Sequence, residues 1–279
     1  MITSIFSVII NWGLLYSLIT LGLSFYGKPL YGWPPSTAAA FLSTIGMSAL
    51  ILLSLTPAGE WLFRVSEGCK KCTAEQSAVL QSHFNEICLR AGRNPSYYRL
   101  YINRNDKPNA FAMGLKTISV TSGLFDRATD EEIKGVLAHE LGHITLGHTL
   151  WGRITYTAGQ VGRFIIGIYL FILRFCSFFA FIPLIGLFLS LISWIILVLL
   201  KLFQWIIEAP FILGLHFGLR RDEYAADKFA AKLGYGYGLQ SFLDRLIVPL
   251  EESEGFFARL HSTHPESVKR IRRLAETNG

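Results

Sequence analysis

The chain contains 279 residues, of which 51% are hydrophobic and only 16% are charged. About a quarter of the residues in soluble domains are charged, so this composition argues against a wholly soluble protein and favours a membrane protein. The formal net charge of +6 does not indicate a nucleic-acid-binding protein, because lysine and arginine are interspersed with acidic residues and form no recognition helix or aromatic-basic motif.

The N-terminal residues are predicted to form a transmembrane hairpin. Residues 5–25 contain no charge and would form a helix about 32 Å long at about 1.5 Å per residue, which is enough to cross a bilayer. Residues 38–55 form a second uncharged stretch after a proline-containing loop. A cleaved signal peptide is the alternative for the first stretch, but we favour an uncleaved anchor because no basic N-terminal region or small-residue cleavage site is evident.

A polar stretch with both helix and strand patterns follows the hairpin. An amphipathic helix is predicted over residues 73–91, because apolar residues recur on one face and Thr73 with Gln76 has the form of a capping box. A second capping box at Thr129 begins another helix. The other predicted elements are strands over residues 98–102, 109–113 and 117–121, expected to form a small antiparallel sheet, a helix over residues 222–233, and a last helix from Pro265.

The helix after the second capping box carries the sequence His139-Glu140-Leu141-Gly142-His143. Four residues make about one helical turn, so both imidazoles project from the same face and can bind one metal ion. Glu140 lies one step from His139 and can reach a water molecule on the metal without binding the metal itself. This spacing favours a zinc metalloprotease, in which zinc polarises a peptide carbonyl while the carboxylate takes a proton from the water.

A catalytic zinc ion is expected to have three protein ligands and one open position. Metzincins would have a histidine at position 149, which is Thr149 here, and His148 is one residue early, so we exclude that class. We predict that His148 is a packed or pH-silent residue rather than a ligand. We predict Glu223 as the third ligand of one Zn²⁺ ion per chain, with Asp222 as the rival candidate. Asp227 lies one turn after Glu223 and could orient a ligand histidine.

A second apolar block, residues 164–203, separates the histidine motif from the predicted third ligand. It is interrupted only by Arg174, Pro183 and Lys201, and it is long enough for one or two membrane-spanning helices. If residues on both sides of the block bind one ion, the chain must cross the bilayer an even number of times, so we predict two crossings. The polar stretches on either side contain 13 and 10 of the 26 lysines and arginines, which predicts that both are cytoplasmic.

Several short motifs occur in a fixed order from Asn109 to the C-terminus. They are Asn109-Ala110-Phe111-Ala112-Met113-Gly114, the His-Glu-x-x-His helix, the apolar hairpin, Glu223 with Asp227, Thr263-His264-Pro265, and Arg270-Ile271. This series resembles the HtpX-like membrane metalloproteases, which are related to the CaaX prenyl proteases. The resemblance implies a gluzincin fold, proteolysis of membrane proteins, and a quality-control role in the bacterial inner membrane.

The resemblance also implies roles for two further features. The strand before the active-site helix would be an edge strand that pairs with extended substrate backbone, although it could equally be core sheet alone. The residues concerned are Asn109, Ala110, Phe111 and Ala112. His264 would stabilise the oxyanion or, alternatively, cap the last helix. Arg270 is expected to pair with an acidic residue near the site, and the Cys69 and Cys72 pair has no predicted role.

The patterns and the resemblance together predict an α-helical membrane protein with four transmembrane helices and an α+β zinc metalloprotease domain of the gluzincin type. The expected parts are a transmembrane hairpin over residues 1–57, catalytic segments over residues 58–163 and 206–279, and a second hairpin over residues 164–205. The expected activity is endopeptidase cleavage of membrane proteins, with protein substrates and the lipid bilayer as partners and no nucleic acid. The alternatives are a CaaX-type prenyl-peptide protease and a noncatalytic scaffold with structural zinc.

Overall fold

The computed structural model describes residues 2–27, 29–30, 32–178, 220–253 and 267–278, together with short helical pieces between residues 186 and 202. The chain divides into two compact units. We call residues 1–54 and 154–215 the helical unit, and residues 55–153 and 216–279 the mixed unit. Each unit combines two separated stretches of chain, so neither corresponds to one continuous segment of the sequence.

The helical unit contains long apolar helices. They are α1 (Ile2–Tyr26), α2 (Pro35–Leu55) and most of α7 (His148–Phe178). Among the described residues, these three helices are long and apolar enough to cross a membrane. The two helices of the first predicted hairpin are confirmed as helices, and α7 begins at His148, well before the apolar block at residue 164. The fourth predicted span falls largely outside the described residues.

Small and polar residues allow the helices of this unit to pack closely. A Cβ atom at Gly162 of α7 would lie 2.0 Å from the Asn11 side-chain oxygen of α1. Nearby, the Thr155 hydroxyl donates a hydrogen bond to the Ser4 hydroxyl at 2.8 Å, and Met47 and Ile165 are buried. Close approach at small residues and hydrogen bonds between helices are typical of helix packing in membranes.

The mixed unit combines one small sheet with several helices. Its strands are β1 (Cys69–Lys71), β2 (Arg99–Asn103), β3 (Ala110–Met113) and β4 (Thr117–Thr121). Its helices are α3 (Pro57–Ser66), α4 (Ala74–Arg90), α5 (Ser122–Arg127), α6 (Asp130–Thr145), α8 (described over residues 220–232), α9 (Gly236–Phe242), α10 (Val248–Ser253) and α11 (Ser267–Asn278), with a π-helical stretch at Leu243–Ile247. A mainly helical chain with a small sheet agrees with the prediction.

The four strands lie in the order β1-β2-β4-β3. Pairs β1–β2 and β3–β4 are antiparallel, but β2 and β4 are parallel, so the predicted wholly antiparallel sheet is wrong. The turn at Gly114, which has a φ of 63°, folds β3 and β4 into an antiparallel hairpin. The second strand of this hairpin, rather than its first, lies beside β2, and it therefore runs parallel to β2. Strand β1 was not predicted, because three residues are too short for a period-two pattern. Strand β3 is an edge of this sheet.

Helix α6 is buried along most of its length. Both predicted capping boxes, at Thr73 before α4 and at Thr129 before α6, are present. Helix α9 lies in backbone contact with α6 through two glycines: a Cβ at Gly135 would lie 2.2 Å from the α9 backbone, and one at Gly238 would lie 2.0 Å from the α6 backbone. This contact fixes α6 within the core.

Glu132, in the first turn of α6, is the centre of a buried polar network and is 1% exposed. Its carboxylate accepts hydrogen bonds from the Thr129 N–H at 2.9 Å, from Ser241 Oγ at 2.8 Å and from Arg245 Nε at 2.9 Å. Burial raises the pKa of Glu132, but the hydrogen bonds from Arg245, Thr129 and Ser241 outweigh burial and lower it to about 2. Glu132 therefore ties α6 to the C-terminal stretch of the mixed unit as an ionised group.

Replacing Glu132 by Gln is expected to lower the free energy of unfolding at neutral pH, because a neutral amide cannot replace the ionised carboxylate in the charge-assisted hydrogen bond from Arg245. The depressed pKa means that the stability from ionised Glu132 is present above the unfolded value of 4.5 and is lost as the pH falls towards 2. Thermal unfolding of the detergent-solubilised protein should therefore depend less on pH between 4.5 and 2 in the variant. Glu131→Gln, at the exposed neighbouring position, is the control: it should change neither the free energy of unfolding nor the pH dependence of thermal unfolding. Equal effects of Glu131→Gln and Glu132→Gln would contradict the role assigned to Glu132.

Candidate metal centre

Helices α6 and α8 bring His139, His143 and Glu223 together. His139 and His143 are one turn apart on α6, and their Nε2 atoms are 3.1 Å apart. Glu223 Oε1 lies 3.2 Å from His143 Nε2, and Glu223 Oε2 lies 3.6 Å from His139 Nε2. One donor atom from each residue lies within 4.8 Å of the other two. The three residues predicted as ligands are thus adjacent in the structure.

The close approach of α6 and α8 depends on the glycine inside the histidine motif. A Cβ at Gly142 would lie 3.2 Å from Ala226 Cα and 3.3 Å from Phe229 Cβ, both on α8. A larger side chain at this position would displace α8, and Glu223 with it. Gly142 therefore sets the distance between the histidines and the carboxylate.

The donor set fits a zinc ion. Two imidazole nitrogens and one carboxylate oxygen are typical ligands of catalytic zinc, whereas magnesium and calcium prefer oxygen ligands alone. Two nitrogen lone pairs facing each other at 3.1 Å repel unless a proton or a cation lies between them. With neutral histidines, the charged groups of the centre are three carboxylates (Glu140, Glu223 and Asp227) and one guanidinium (Arg270). Their formal charges sum to −2, which a divalent cation would balance.

Asp227 and Arg270 support the three candidate ligands from behind. Asp227 Oδ1 lies 2.9 Å from His139 Nδ1, which leaves Nε2 of that ring to face the centre. Arg270, on α11, donates from Nε and a terminal nitrogen to the Asp227 carboxylate at 2.9 and 2.7 Å, and its other terminal nitrogen lies 3.0 Å from Glu223 Oε2. The predicted proximity of Asp227 to a ligand histidine and the predicted pairing of Arg270 with an acid are both present.

The charges in this cluster determine the protonation of its members. Burial lowers the pKa of the His139 imidazole, but hydrogen bonds to Asp227 and Glu223 outweigh burial and raise it to about 9. Burial raises the pKa of the Asp227 carboxyl, yet Arg270 and His139 hold it below its ordinary value. The same negative surroundings that favour a proton on His139 would favour a metal cation in its place, with release of the proton.

Glu140 lies beside the candidate metal centre and is held by the edge strand. It is buried, and its Oε2 accepts a hydrogen bond from the Ala112 N–H of β3 at 2.8 Å. The Asn109 carbonyl, in contrast, accepts from the Thr121 N–H at 2.9 Å and so faces β4. Because backbone groups alternate along an antiparallel strand, Ala110 and Ala112 direct their N–H and C=O groups away from β4. The predicted substrate-binding strand therefore has an outward backbone row next to Glu140.

The remaining predicted residues have different positions. Phe111 is half-buried in β3, and the Asn109 side chain accepts a hydrogen bond from the Ala110 N–H at 2.9 Å. His264 lies outside the described residues, so its two alternative roles stay predictions. The rival ligand Asp222 is directed to His148, with 3.5 Å between its Oδ1 and His148 Nε2.

The contact of His148 with the centre was missed by the sequence analysis, which predicted a packed residue. Its Nδ1 lies 3.0 Å from Nδ1 of His143. Leu146 and Gly147 separate the end of α6 from the start of α7, and Gly147 has a φ of 78°, which allows the chain to turn back sharply there. A histidine five residues after His143 and directly after a glycine is the signal that could have indicated this contact.

Comparison with known proteins identifies the family to which the chain belongs. The model of peptidase family M48 matches residues 74–278, and the chain belongs to this family. The resemblance to HtpX-like metalloproteases predicted from the motifs is therefore confirmed.

Among named relatives, Protease HtpX of Legionella pneumophila (strain Corby) is 45% identical over 82 residues, which cover 28% of this chain and 29% of the relative. A Protease HtpX homolog of Aquifex aeolicus is 29% identical over 244 residues, covering 75% of this chain and 74% of the relative. The match to the first relative thus spans less than a third of that protein's length.

The fold resembles that of a solved structure, the crystal structure of S. mikatae Ste24p. The TM-score is 0.52 at 18% sequence identity, and the match covers 94% of this chain and 62% of that chain. This similarity supports the fold and carries no information on the reaction. Family membership and the three apolar helices together make the chain a membrane member of peptidase family M48.

Proposed function

We propose that the protein is a zinc-dependent endopeptidase that cleaves membrane proteins, with His139, His143 and Glu223 as the metal ligands. The observation that carries the proposal is the convergence of these three donors, within 4.8 Å of one another, beside the buried carboxylate of Glu140. A structural zinc site would have four protein ligands, whereas this group has three among the described residues. The arrangement therefore favours a catalytic site over a noncatalytic scaffold.

The chain's own groups suggest how cleavage proceeds. Substrate backbone would lie in an extended form along the outward edge of β3, as an added strand that donates to the C=O groups of Ala110 and Ala112. The N–H groups of these two residues already donate to the Asn109 side chain and to Glu140. Zinc, when bound, supplies Lewis-acid polarisation of the scissile carbonyl and a lower pKa for the attacking water. Glu140 takes the proton of that water and later gives it to the leaving amine. The hydrogen bond from Ala112 orients one oxygen of Glu140 and leaves the other to accept the proton.

Asp227 and Arg270 act as positioning groups in this proposal. Asp227 fixes the His139 ring through Nδ1, and Arg270 fixes both Asp227 and Glu223. Carboxylates that hold a ligand histidine increase its basicity and metal affinity. Because Arg270 is on α11 and the ligands are on α6 and α8, the C-terminal helix becomes part of the metal centre.

The proposed substrates are misfolded membrane proteins of the bacterial inner membrane, which is what the resemblance of the motif series to the HtpX-like family implies. The relatives named Protease HtpX support proteolysis as the activity. A CaaX-type prenyl-peptide protease is the second candidate, because the motif series from Asn109 onward resembles a family that is related to the CaaX prenyl proteases. It ranks second because those relatives carry more membrane spans than the four predicted for this chain. The two candidates differ in whether a lipidated C-terminus is required for cleavage.

Purified protein in lipid nanodiscs, loaded with zinc, is expected to cleave an unfolded protein such as casein and a destabilised membrane protein. It should not require a prenyl group on either. A strong chelator should abolish cleavage, and added Zn²⁺ should restore it. Preference for a prenylated peptide over its unmodified form would favour the second candidate. A zinc-loaded protein that cleaves none of these would contradict the proposed function.

The proposed domain arrangement places residues 58–163 and 206–279 on the cytoplasmic side, with two hairpins over residues 1–57 and 164–205. Donors before and after the second hairpin would have to meet on one side of the membrane, and α7 is long and apolar enough to be one of the two crossings. An epitope tag in the exposed turn after Gly92 and one at the C-terminus should therefore be reached from the same side in oriented vesicles. Tags on opposite sides would exclude a shared metal.

A further inference from the structure

We propose that helix α3 lies in the membrane–water interface, with its outer face in contact with lipid. This face consists of Pro57, Ala58, Trp61, Leu62 and Val65. All five are exposed, and their spacing of three to four residues places them on one side of the helix. The inference goes beyond the proposed function, since it assigns a lipid contact to the mixed unit outside the candidate metal centre.

The orientation of α3 is the reverse of that expected for a helix on a water-exposed surface. Trp61, Leu62 and Val65 are 56%, 62% and 56% exposed. The opposite side carries two charged residues, Glu60 and Arg64, together with Phe63, and packs on the protein: the Arg64 guanidinium lies 4.5 Å from the centre of the Tyr101 ring. A helix in water turns its charged face to the solvent and its apolar face to the core. The reversal indicates that the outer surroundings of α3 are apolar.

Glu60 strengthens this argument because it also faces inward. It lies next to Gly114, where an added Cβ would be 3.5 Å from the Glu60 carboxylate. The inward face of α3 thus packs on β2 through Arg64 and lies against the β3–β4 turn at Glu60. Rotation of α3 to expose its charged side would break both contacts, so the exposed apolar face is fixed by the packing of the mixed unit.

A lipid bilayer is the occupant favoured by the position of α3 in the chain. Only Thr56 separates α3 from α2 (Pro35–Leu55), which is long and apolar enough to cross a membrane. The start of α3 must therefore lie within a few ångströms of the end of that span. Tryptophan is enriched in the interfacial region, and an amphipathic helix there buries its apolar face roughly 5–10 Å into the boundary between head groups and acyl chains.

Two lysines next to α3 fit the same location. Lys70 and Lys71 of β1 are exposed, and α3 contacts β1. Basic residues near the cytoplasmic surface of a membrane are attracted to anionic head groups. Because α3 also contacts β3, an interfacial α3 would hold the edge strand close to the membrane surface. On the proposed function, the cleavable segments would then be those that lie just outside the bilayer.

Tryptophan fluorescence of the full-length protein in nanodiscs tests this placement. The emission of Trp61 is obtained as the difference between the wild type and Trp61→Phe. A matched control has the same number of tryptophans: Trp61→Phe combined with Leu89→Trp, at an exposed leucine of α4. Lipid brominated near the top of the acyl chain should remove most of the Trp61 emission, and aqueous iodide should remove little. The emission of the tryptophan introduced by Leu89→Trp should be quenched by iodide and little affected by brominated lipid.

Each other outcome would overturn the proposal. Quenching of Trp61 by iodide but not by brominated lipid would place α3 in water. Resistance to both quenchers would mean that protein covers the face, either a second copy of the chain or another partner. Zinc content and thermal unfolding of the variants show whether they are folded, and neither depends on the lipid assignment.

A second and independent inference concerns His148 and rests on the proposed metal function. We infer that Asp222 and His148 hold the ligand His143 in position, as Asp227 holds His139. His143 Nδ1 lies 3.0 Å from His148 Nδ1, and His148 Nε2 lies 3.5 Å from Asp222 Oδ1. With Nε2 of His143 facing the centre, its Nδ1–H donates to His148 Nδ1, and His148 Nε2–H is directed to Asp222.

The contacts from Asp222 to His148 and from His148 to His143 fix the tautomer and the rotation of the His143 ring. Removing a residue that hydrogen-bonds to a ligand histidine usually weakens metal affinity about 10- to 100-fold. His148 acts through His143 and touches no reacting atom, so it is a positioning residue. Its imidazole is half-buried at the first residue of α7, where the Leu146-Gly147 turn directs it back to α6.

Zinc affinity, measured by competition with a chromophoric chelator, tests this inference without reference to activity. His148→Ala should weaken binding about 10- to 100-fold. His148→Asn should restore most of the affinity, because the asparagine side-chain oxygen can occupy the place of Nδ1 as acceptor. The d–d absorption bands of the cobalt-substituted protein should shift in His148→Ala and return towards wild type in His148→Asn. His83→Ala, at a histidine remote from the centre that pairs with Asp130, is the control.

Unchanged zinc affinity in His148→Ala would overturn the positioning role. Equal loss in His148→Ala and His148→Asn, with unchanged thermal unfolding, would also overturn it, because the acceptor would then be irrelevant. Failure of the proposed function would show itself differently, as wild-type protein that binds no zinc at all.

Discussion

Replacing Glu140 by Gln is expected to reduce peptide hydrolysis by about 1,000-fold while leaving zinc bound. A general base contributes about 10²- to 10⁴-fold to a reaction of this kind, and a neutral amide cannot accept the proton of the attacking water. Glutamine has the same shape as glutamate, and its side-chain oxygen can still accept the hydrogen bond that Glu140 receives from the Ala112 N–H. Cleavage of a fluorogenic peptide and metal content of the same preparation would measure both properties.

Two further variants make this result specific to the proton transfer. Glu140→Asp keeps the carboxylate but withdraws it by one methylene, so it should retain more activity than Glu140→Gln. Glu131→Gln, at an exposed position of the same helix, should leave hydrolysis unchanged. Full activity in Glu140→Gln would remove Glu140 from the mechanism and would favour a noncatalytic reading of the metal centre.

Replacing Glu223 by Ala is expected to abolish stoichiometric zinc binding and, with it, hydrolysis. Two imidazoles alone do not make a catalytic zinc site, which needs a third protein ligand. The carboxylate is also one of the two that face Arg270, so its loss leaves the buried guanidinium with Asp227 alone. Metal analysis after dialysis against excess zinc would show one equivalent for the wild type and far less for the variant.

Asp222→Ala is the matched control for the Glu223 substitution, since it removes a carboxylate from the preceding position of the same helix. It should retain a full equivalent of zinc at saturating metal, although with weaker affinity if Asp222 supports His148. Circular dichroism would establish that Glu223→Ala is folded, and Glu223→Gln would repeat the test without a cavity. Retention of one zinc by folded Glu223→Ala, with loss in Asp222→Ala, would make Asp222 the ligand.

Local patterns in the sequence were sufficient for most of the elements around the candidate centre. The capping boxes at Thr73 and Thr129 and the apolar repeats of α4 and α6 depend on residues a few positions apart, so they can be identified without a fold. The spacing of His139 and His143 is equally local, because a helical turn by itself places them on one face. Length and lack of charge were sufficient for α1 and α2, since a bilayer sets the length of a span.

Contacts between distant segments required the structure. The parallel pairing of β2 with β4 follows from the path of the chain between them, which a period-two pattern does not encode. The contact of His148 with His143 depends on the sharp turn at Gly147. The apolar repeat of α3 is visible in the sequence, but only its packing on β2 shows that this face points outward rather than into the core.

The sequence alone was sufficient to predict the two histidines and the glutamate of the motif as site residues, and to predict the apolar helices. Each of these depends on neighbours within one or two helical turns or on the thickness of a membrane. The tertiary structure decided between Glu223 and the rival Asp222 as the carboxylate that meets the histidines, which strand forms the sheet edge and which face of α3 is exposed. These outcomes depend on long-range packing, because residues far apart in the chain, such as His143 and Glu223, are placed by the close contact of α6 with α8 rather than by local preference.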